Sequence, residues 1–89
     1  MIAIVTVVGQ DRVGIIAEVC VKLAQYQVNV LDINQTVMQG YFTMMMAVDV
    51  GACTVPLAEL CQIMDAQGQE MGLNIRVQRQ DIFEAMHRI

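Results

Sequence analysis

Apolar residues fill every position from Ile2 to Val8 except Thr6. A mostly β-branched run of this length reads as a central strand. Gly9-Gln10-Asp11-Arg12-Val13-Gly14 breaks the run, and from Ile15 the apolar period changes. Ile15, Ile16, Val19, Cys20, Leu23 and Tyr26 fall on one helical face, with Glu18, Lys22 and Gln25 on the other. Glu18 and Lys22 are spaced as a favourable i,i+4 pair. Val21 sits among the polar positions, where this pattern gives it no role. Val28 to Met38 then alternates, with Leu31, Ile33 and Val37 on one side and Asp32, Asn34 and Thr36 on the other. Gln39-Gly40 reads as a two-residue hairpin turn. Tyr41 to Val50 is the return strand, with Phe42, Met44, Met46, Val48 and Val50 on its core face.

The second half repeats the theme. Thr54 is placed to cap a helix with Pro56 in its first turn. Leu57, Leu60, Cys61, Met64 and Met71 form the buried face, and Gly68 within that stripe implies close approach of helix to sheet. Leu73, Ile75 and Val77 alternate with Asn74, Arg76 and Gln78 in a last strand. Ile82, Phe83, Met86 and Ile89 are spaced as one short amphipathic helical tail over Asp81 to Ile89. The order is strand, helix, strand, strand, helix, strand over one domain of residues 1–89. An α+β, ferredoxin-like βαββαβ sandwich satisfies it: a four-stranded antiparallel sheet with both helices on one face. The other sheet face is expected to be partly apolar and therefore covered, either by the tail or by a second subunit.

Composition narrows the function. Apolar residues make up 56% of the 89 residues and charged residues 16%, against about 25% charged in an ordinary soluble domain. No run approaches the roughly 20 residues of a spanning helix, and the first strand has no signal-peptide pattern. The expectation is a cytoplasmic protein that self-associates as a homodimer or higher homo-oligomer, with no membrane partner. The net charge is −4, and the five basic residues, Arg12, Lys22, Arg76, Arg79 and Arg88, are scattered. Phosphate backbones need a basic patch, so nucleic acid is not an expected partner.

The chain is poor in catalytic chemistry. It has no Ser and one His, His87, third from the end. Cys20, Cys53 and Cys61 make no CxxC pair and none lies near His87 in sequence, so reduced thiols and no metal are expected. No phosphate-cradling loop, HExxH or calcium-loop pattern occurs. No enzyme, no catalytic residue and no cofactor are therefore expected.

One segment remains. Gly9 and Gly14 bracket four residues between a central strand and a helix start, where free N–H groups and the helix dipole attract an anion. Asp11 is close enough in sequence to hold an ammonium group, so the loop can grip an amino acid by its two ends. The simpler arrangement has Asp11 capping the helix and Arg12 in solvent. Residue chemistry alone leaves both open.

The run Gly9-Gln10-Asp11-Arg12-Val13-Gly14-Ile15-Ile16-Ala17 resembles the opening signature of ACT domains, as does Asn29-Val30-Leu31-Asp32, continued by Ile33-Asn34-Gln35-Thr36. In element order and spacing the likeness covers the whole chain. It is nearest to small stand-alone prokaryotic ACT proteins, which are similar to the ACT units of the glycine cleavage system repressor. The resemblance implies a regulatory module that binds an amino acid or another small metabolite at a dimer interface. The ligand is then expected against Gly9, Asp11, Arg12, Val13, Gly14 and Ile15, with Asn29 and Asp32 completing the site from the partner subunit. Many ligand-binding members carry Pro where this chain has Val13. The competing expectation is a module that binds no ligand and docks on an enzyme or regulator as a protein partner.

Overall fold

The structure of the chain, a computed structural model, describes residues 1–86. Seven elements follow one another: β1 (Ile2–Gln10), α1 (Ile15–Gln25), β2 (Asn29–Met38), β3 (Tyr41–Asp49), α2 (Leu57–Met71), β4 (Asn74–Arg79) and α3 (Gln80–Met86). The four strands form one antiparallel sheet in the order β2-β3-β1-β4. Each long helix therefore carries the chain past one intervening strand. This is the ferredoxin-like α+β sandwich, with a third helix at the C-terminal side.

Alternation builds the core. Ala3, Val5 and Val7 of β1 are fully buried, and so are Met44, Met46 and Val48 of β3, with Phe42 nearly so. Ile75 and Val77 add β4 to the same face. Ile15, Val19 and Leu23 of α1 and Leu60 and Met64 of α2 close over it. Each of these larger side chains contributes about 1.5–3 kcal/mol by leaving water. Ile16, Cys20, Leu57, Cys61 and Met71 flank the stripe and are partly buried. Burial raises the pKa of the Cys20 thiol. Burial also raises that of Cys61, against the lowering effect of its backbone hydrogen bond.

The structure corrects the expectations at four points, two of them element boundaries. β1 runs on through Gly9 and Gln10, because these residues pair with Phe42 and Tyr41 of the long hairpin. α2 starts two residues later than a Thr54 cap requires. Pro56 is its N-cap residue, in extended backbone, and the Thr54 N–H donates to Tyr26 O at 3.0 Å instead. Glu18 pairs with Arg12 at 3.5 Å, while Lys22 makes no ion pair among the described residues. A bulge between Val30 and Asp32 sets Val30, opposite Val48, on the helix side and takes Leu31 out of the ladder.

The hairpin turn is as expected. Gln39 and Gly40 both adopt positive φ, 51° and 82°, as a two-residue turn matched to strand twist requires. α3 has no buried residue. It lies toward the sheet face away from α1 and α2. Gln78, opposite Ile4 on that face, donates from Nε2 to Met86 Sδ at 3.3 Å. The expectations for His87 and Ile89 lie outside the described residues.

Gly68 is where α2 meets β4. The Leu73 N–H donates to Gly68 O at 2.7 Å, and a Cβ on Gly68 would stand 2.8 Å from Leu73 O and 3.2 Å from Ile75 N. Backbone atoms cannot swing aside, so α2 would have to lift. Gly68→Val is expected to destabilise the fold by about 1–3 kcal/mol, read from the urea midpoint; an unchanged midpoint would show that α2 does not sit this close.

Candidate functional site

The β1–α1 connection is short and held at both ends. At its start, the Asp11 N–H donates to Gly40 O at 2.9 Å, tying the loop to the β2–β3 hairpin. At its end, Gly14 is the N-cap residue of α1, with φ 93° and no side-chain cap. Asp11 therefore does not cap the helix, and the simpler arrangement for this loop is not the one formed. The first intrahelical bond runs from the Glu18 N–H to Gly14 O at 2.9 Å. The N–H groups of Ile15, Ile16 and Ala17 precede it, so they carry the positive end of the helix dipole without an intrahelical acceptor.

These groups border an open hollow of about 590 Å³ lined by Asp11, Arg12, Gly14, Ile15, Ile16, Ala17, Gln35, Val37 and Phe42. Its size suits a small metabolite. Its floor is the helix-side face of the β2–β3 ladder, where Val37 lies opposite Phe42 and Gln35 opposite Met44. Arg12 is partly engaged by Glu18, with both side chains about half exposed. At that exposure the pair adds little stability, but it turns the guanidinium toward α1.

The eight residues expected at the site divide into three groups. Asp11, Arg12, Gly14 and Ile15 line the hollow together. Gly9 and Val13 do not. Gly9 is inside β1, where a Cβ would collide with the Leu73 side chain, so its lack of a side chain serves packing. Val13 is 99% exposed. Asn29 and Asp32 lie toward the opposite end of β2, beside Asp49 and Ala47. Asp32 belongs to the outer sheet face. There it borders a shallow hollow of about 220 Å³ with Asn34, Ile4, Met45, Met46 and Ala47, and its Oδ1 accepts the Ile33 N–H at 2.9 Å. Within one chain, then, the Asn29–Asp32 segment does not reach the loop.

Gln35, Val37 and Phe42 were missed as site residues. The signal was present in the hairpin: the Gln39-Gly40 turn sets Val37 against Phe42, and Gln35 follows by alternation. No group of His, Cys, Asp and Glu among the described residues is arranged to hold a metal ion. No described helix is long and apolar enough to cross a membrane.

The class defined so far is a ferredoxin-like βαββαβ sandwich whose uncapped helix start opens on a hollow. Comparison with known proteins supplies the family: the ACT domain profile matches residues 1–78, and the chain belongs to that family. A UPF0237 protein of Bifidobacterium longum is 52% identical over 98% of this chain and 97% of its own length. A UPF0237 protein of Methanosarcina mazei is 48% identical over 97% of this chain and 94% of its own. Among solved structures, an ACT domain protein from Streptococcus pneumoniae superposes with a TM-score of 0.82 at 42% identity, covering 94% of each chain. A protein described as a glycine cleavage system transcriptional repressor shares the fold, with a TM-score of 0.76 at 24% identity. The match covers 89% of this chain and 45% of that one.

Gly14 has no neighbour within 4 Å of a built Cβ, so its requirement is the positive φ and not space. Gly14→Ala is therefore expected to fold, with a loss of about 1–2 kcal/mol from left-handed backbone strain, measured by urea denaturation. A neutral result would mean that the loop relaxes out of this conformation.

Proposed function

We propose that this chain is a regulatory module without catalytic activity of its own, binding a free amino acid in the hollow at the start of α1 and working as a dimer. The observation that carries the reading is the uncapped helix N-terminus with Asp11 beside it, both on one hollow of metabolite size. The N–H groups of Ile15, Ile16 and Ala17 offer a carboxylate three donors and a favourable dipole. Asp11 offers an ammonium group a counter-charge. A molecule carrying both groups on one carbon matches both partners.

The second subunit follows from β2. It is a sheet edge of ten residues with no Lys, Arg or Pro to guard it, and such an edge is a template for pairing. On its helix side, Ile33 and Val37 are 41% and 54% exposed, beside the hollow. Antiparallel pairing of two β2 edges covers them. It also brings the first half of the partner's strand, from Asn29 on, alongside the Gln35–Val37 wall of the hollow. Since the Asp32 side chain belongs to the other sheet face, the partner's contribution is the backbone and the helix-side residues of that segment.

A ligand held between two chains favours the paired state by the difference in its affinity for the two states. A coupling of about 1–3 kcal/mol multiplies the association constant roughly 5- to 150-fold. That is enough to control docking on a partner protein in the cytoplasm. The alternative, an assembly module that binds no ligand, has the same edge strand in its favour but leaves the open helix start without a purpose.

A panel of the twenty amino acids, screened by thermal shift, tests the ligand. At 100 times its dissociation constant the right one adds about 2.7 kcal/mol. Gly14→Val, which puts a side chain at the mouth of the hollow, is expected to abolish that gain while leaving the circular dichroism unchanged. A panel without any shift would leave the assembly module as the reading. For the dimer, Ile33→Lys is expected to give a monomer by sedimentation and to weaken ligand binding together with assembly; an unaltered mass would refute edge pairing.

A further inference from the structure

One polar side chain interrupts the apolar helix side of β2. The helix-side positions are Val30, Ile33, Gln35 and Val37, set there by pairing with Val48, Met46, Met44 and Phe42, all buried core residues of β3. Alternation calls for an apolar residue at each. Gln35 is the exception, and it lies where this side opens on the hollow at α1, which it lines with Val37 and Phe42. Its side chain is exposed and bonds to no other described residue. Guarding the sheet edge does not account for it. Ile33 and Val37, on either side of it, stay apolar and exposed, and β2 already carries Asp32, Asn34 and Thr36 on its other face.

We propose, on the reading of the hollow at α1 as an amino-acid site, that Gln35 reads the side chain of the bound amino acid and selects one ending in an amide or hydroxyl over aliphatic and charged ones. With the carboxylate on the first N–H groups of α1 and the ammonium at Asp11, the ligand's side chain is left the floor of the hollow. There Gln35 is the one uncharged polar side chain, among Ile15, Ile16, Val37 and Phe42. In the free protein an exposed amide is hydrated. A ligand side chain laid over it displaces that water and loses affinity unless it restores the hydrogen bonds. A side-chain amide restores them in both directions, donating to Gln35 Oε1 and accepting from Nε2, and a hydroxyl can do the same. An aliphatic chain does neither. A charged end meets no free counter-charge, since Asp11 is taken by the ligand's ammonium and Arg12 is drawn to Glu18 at 3.5 Å. Setting such a charge on an apolar floor is costly. Gln35 is thus a specificity-determining residue, while the grip on the carboxylate and ammonium, common to all amino acids, does not involve it.

Thermal-shift titration of the full chain with near-isosteric pairs tests this: threonine against valine, asparagine against leucine and aspartate, glutamine against methionine and glutamate, with lysine as the basic probe. For the wild type, at least one amide or hydroxyl amino acid is expected to bind about tenfold more tightly than its aliphatic and charged counterparts. Gln35→Leu is expected to erase or reverse that ratio with unchanged circular dichroism, and to bind the aliphatic member at least as well as the wild type does. A residue that only shaped the strand would weaken both members of a pair alike. If Gln35→Leu aggregates through the exposed edge, Gln35→Glu decides, and its preference is expected to pass to lysine. A wild type that binds each aliphatic member as tightly as its polar isostere, or a polar preference that survives in the variant that folds, overturns the role of Gln35 and leaves the amino-acid site standing. A wild type that responds to no amino acid overturns both.

Discussion

β1 is the strand on which the other layers depend. It lies between β3 and β4, hydrogen-bonded on both sides, and its helix-side residues Ala3, Val5 and Val7 are completely buried. A strand paired on both edges and covered on one face can place its side chains in only one register, since a slip by one residue would expose the whole set. That register fixes β3 through nine residue pairs. β3 in turn fixes β2 through the Gln39-Gly40 turn, and β4 brings Leu73 and Ile75 under Gly68 of α2. The loop after β1 can then leave the sheet in one direction only, and its Asp11 N–H meets the hairpin at Gly40. The opening at the start of α1 is thus a product of the core and not of a freely placed loop.

Most of this fold is legible in the sequence because it rests on alternation. The period of two in β3 and β4 and the helical stripe of α1 assign inside and outside residue by residue, and burial follows them. The misreadings occur where tertiary pairing overrides a local signal. Gly9 and Gln10 look like a break, yet Phe42 and Tyr41 supply ladder partners that local sequence does not reveal. Thr54 looks like a cap, but its backbone is engaged by Tyr26 from the end of α1. Glu18 is spaced for Lys22 and meets Arg12, a residue before its own helix. The bulge at Leu31 has no composition signal at all.

The site was half legible. Asp11, Arg12, Gly14 and Ile15 are contiguous with the helix start, so proximity in sequence is enough to group them. Gln35, Val37 and Phe42 join them only through the strand order, in which β2 lies two strands away from β1. Asn29 and Asp32 fall at the far end of β2 for the same reason, and a site that includes their segment must be built by two chains. In the proposed dimer a single edge strand connects ligand binding to assembly: its helix side walls the hollow, and its free edge would pair with the neighbour.

The central claim is that the ligand's carboxylate is held by the first N–H groups of α1. Amide chemical shifts recorded during titration with the amino acid that gives the largest thermal shift test it most directly. The account predicts that the amide resonances of Gly14, Ile15, Ile16 and Ala17 move first and farthest, followed by Gln35 and Val37. Saturable shifts confined to residues elsewhere, with those four amides unmoved, would contradict it.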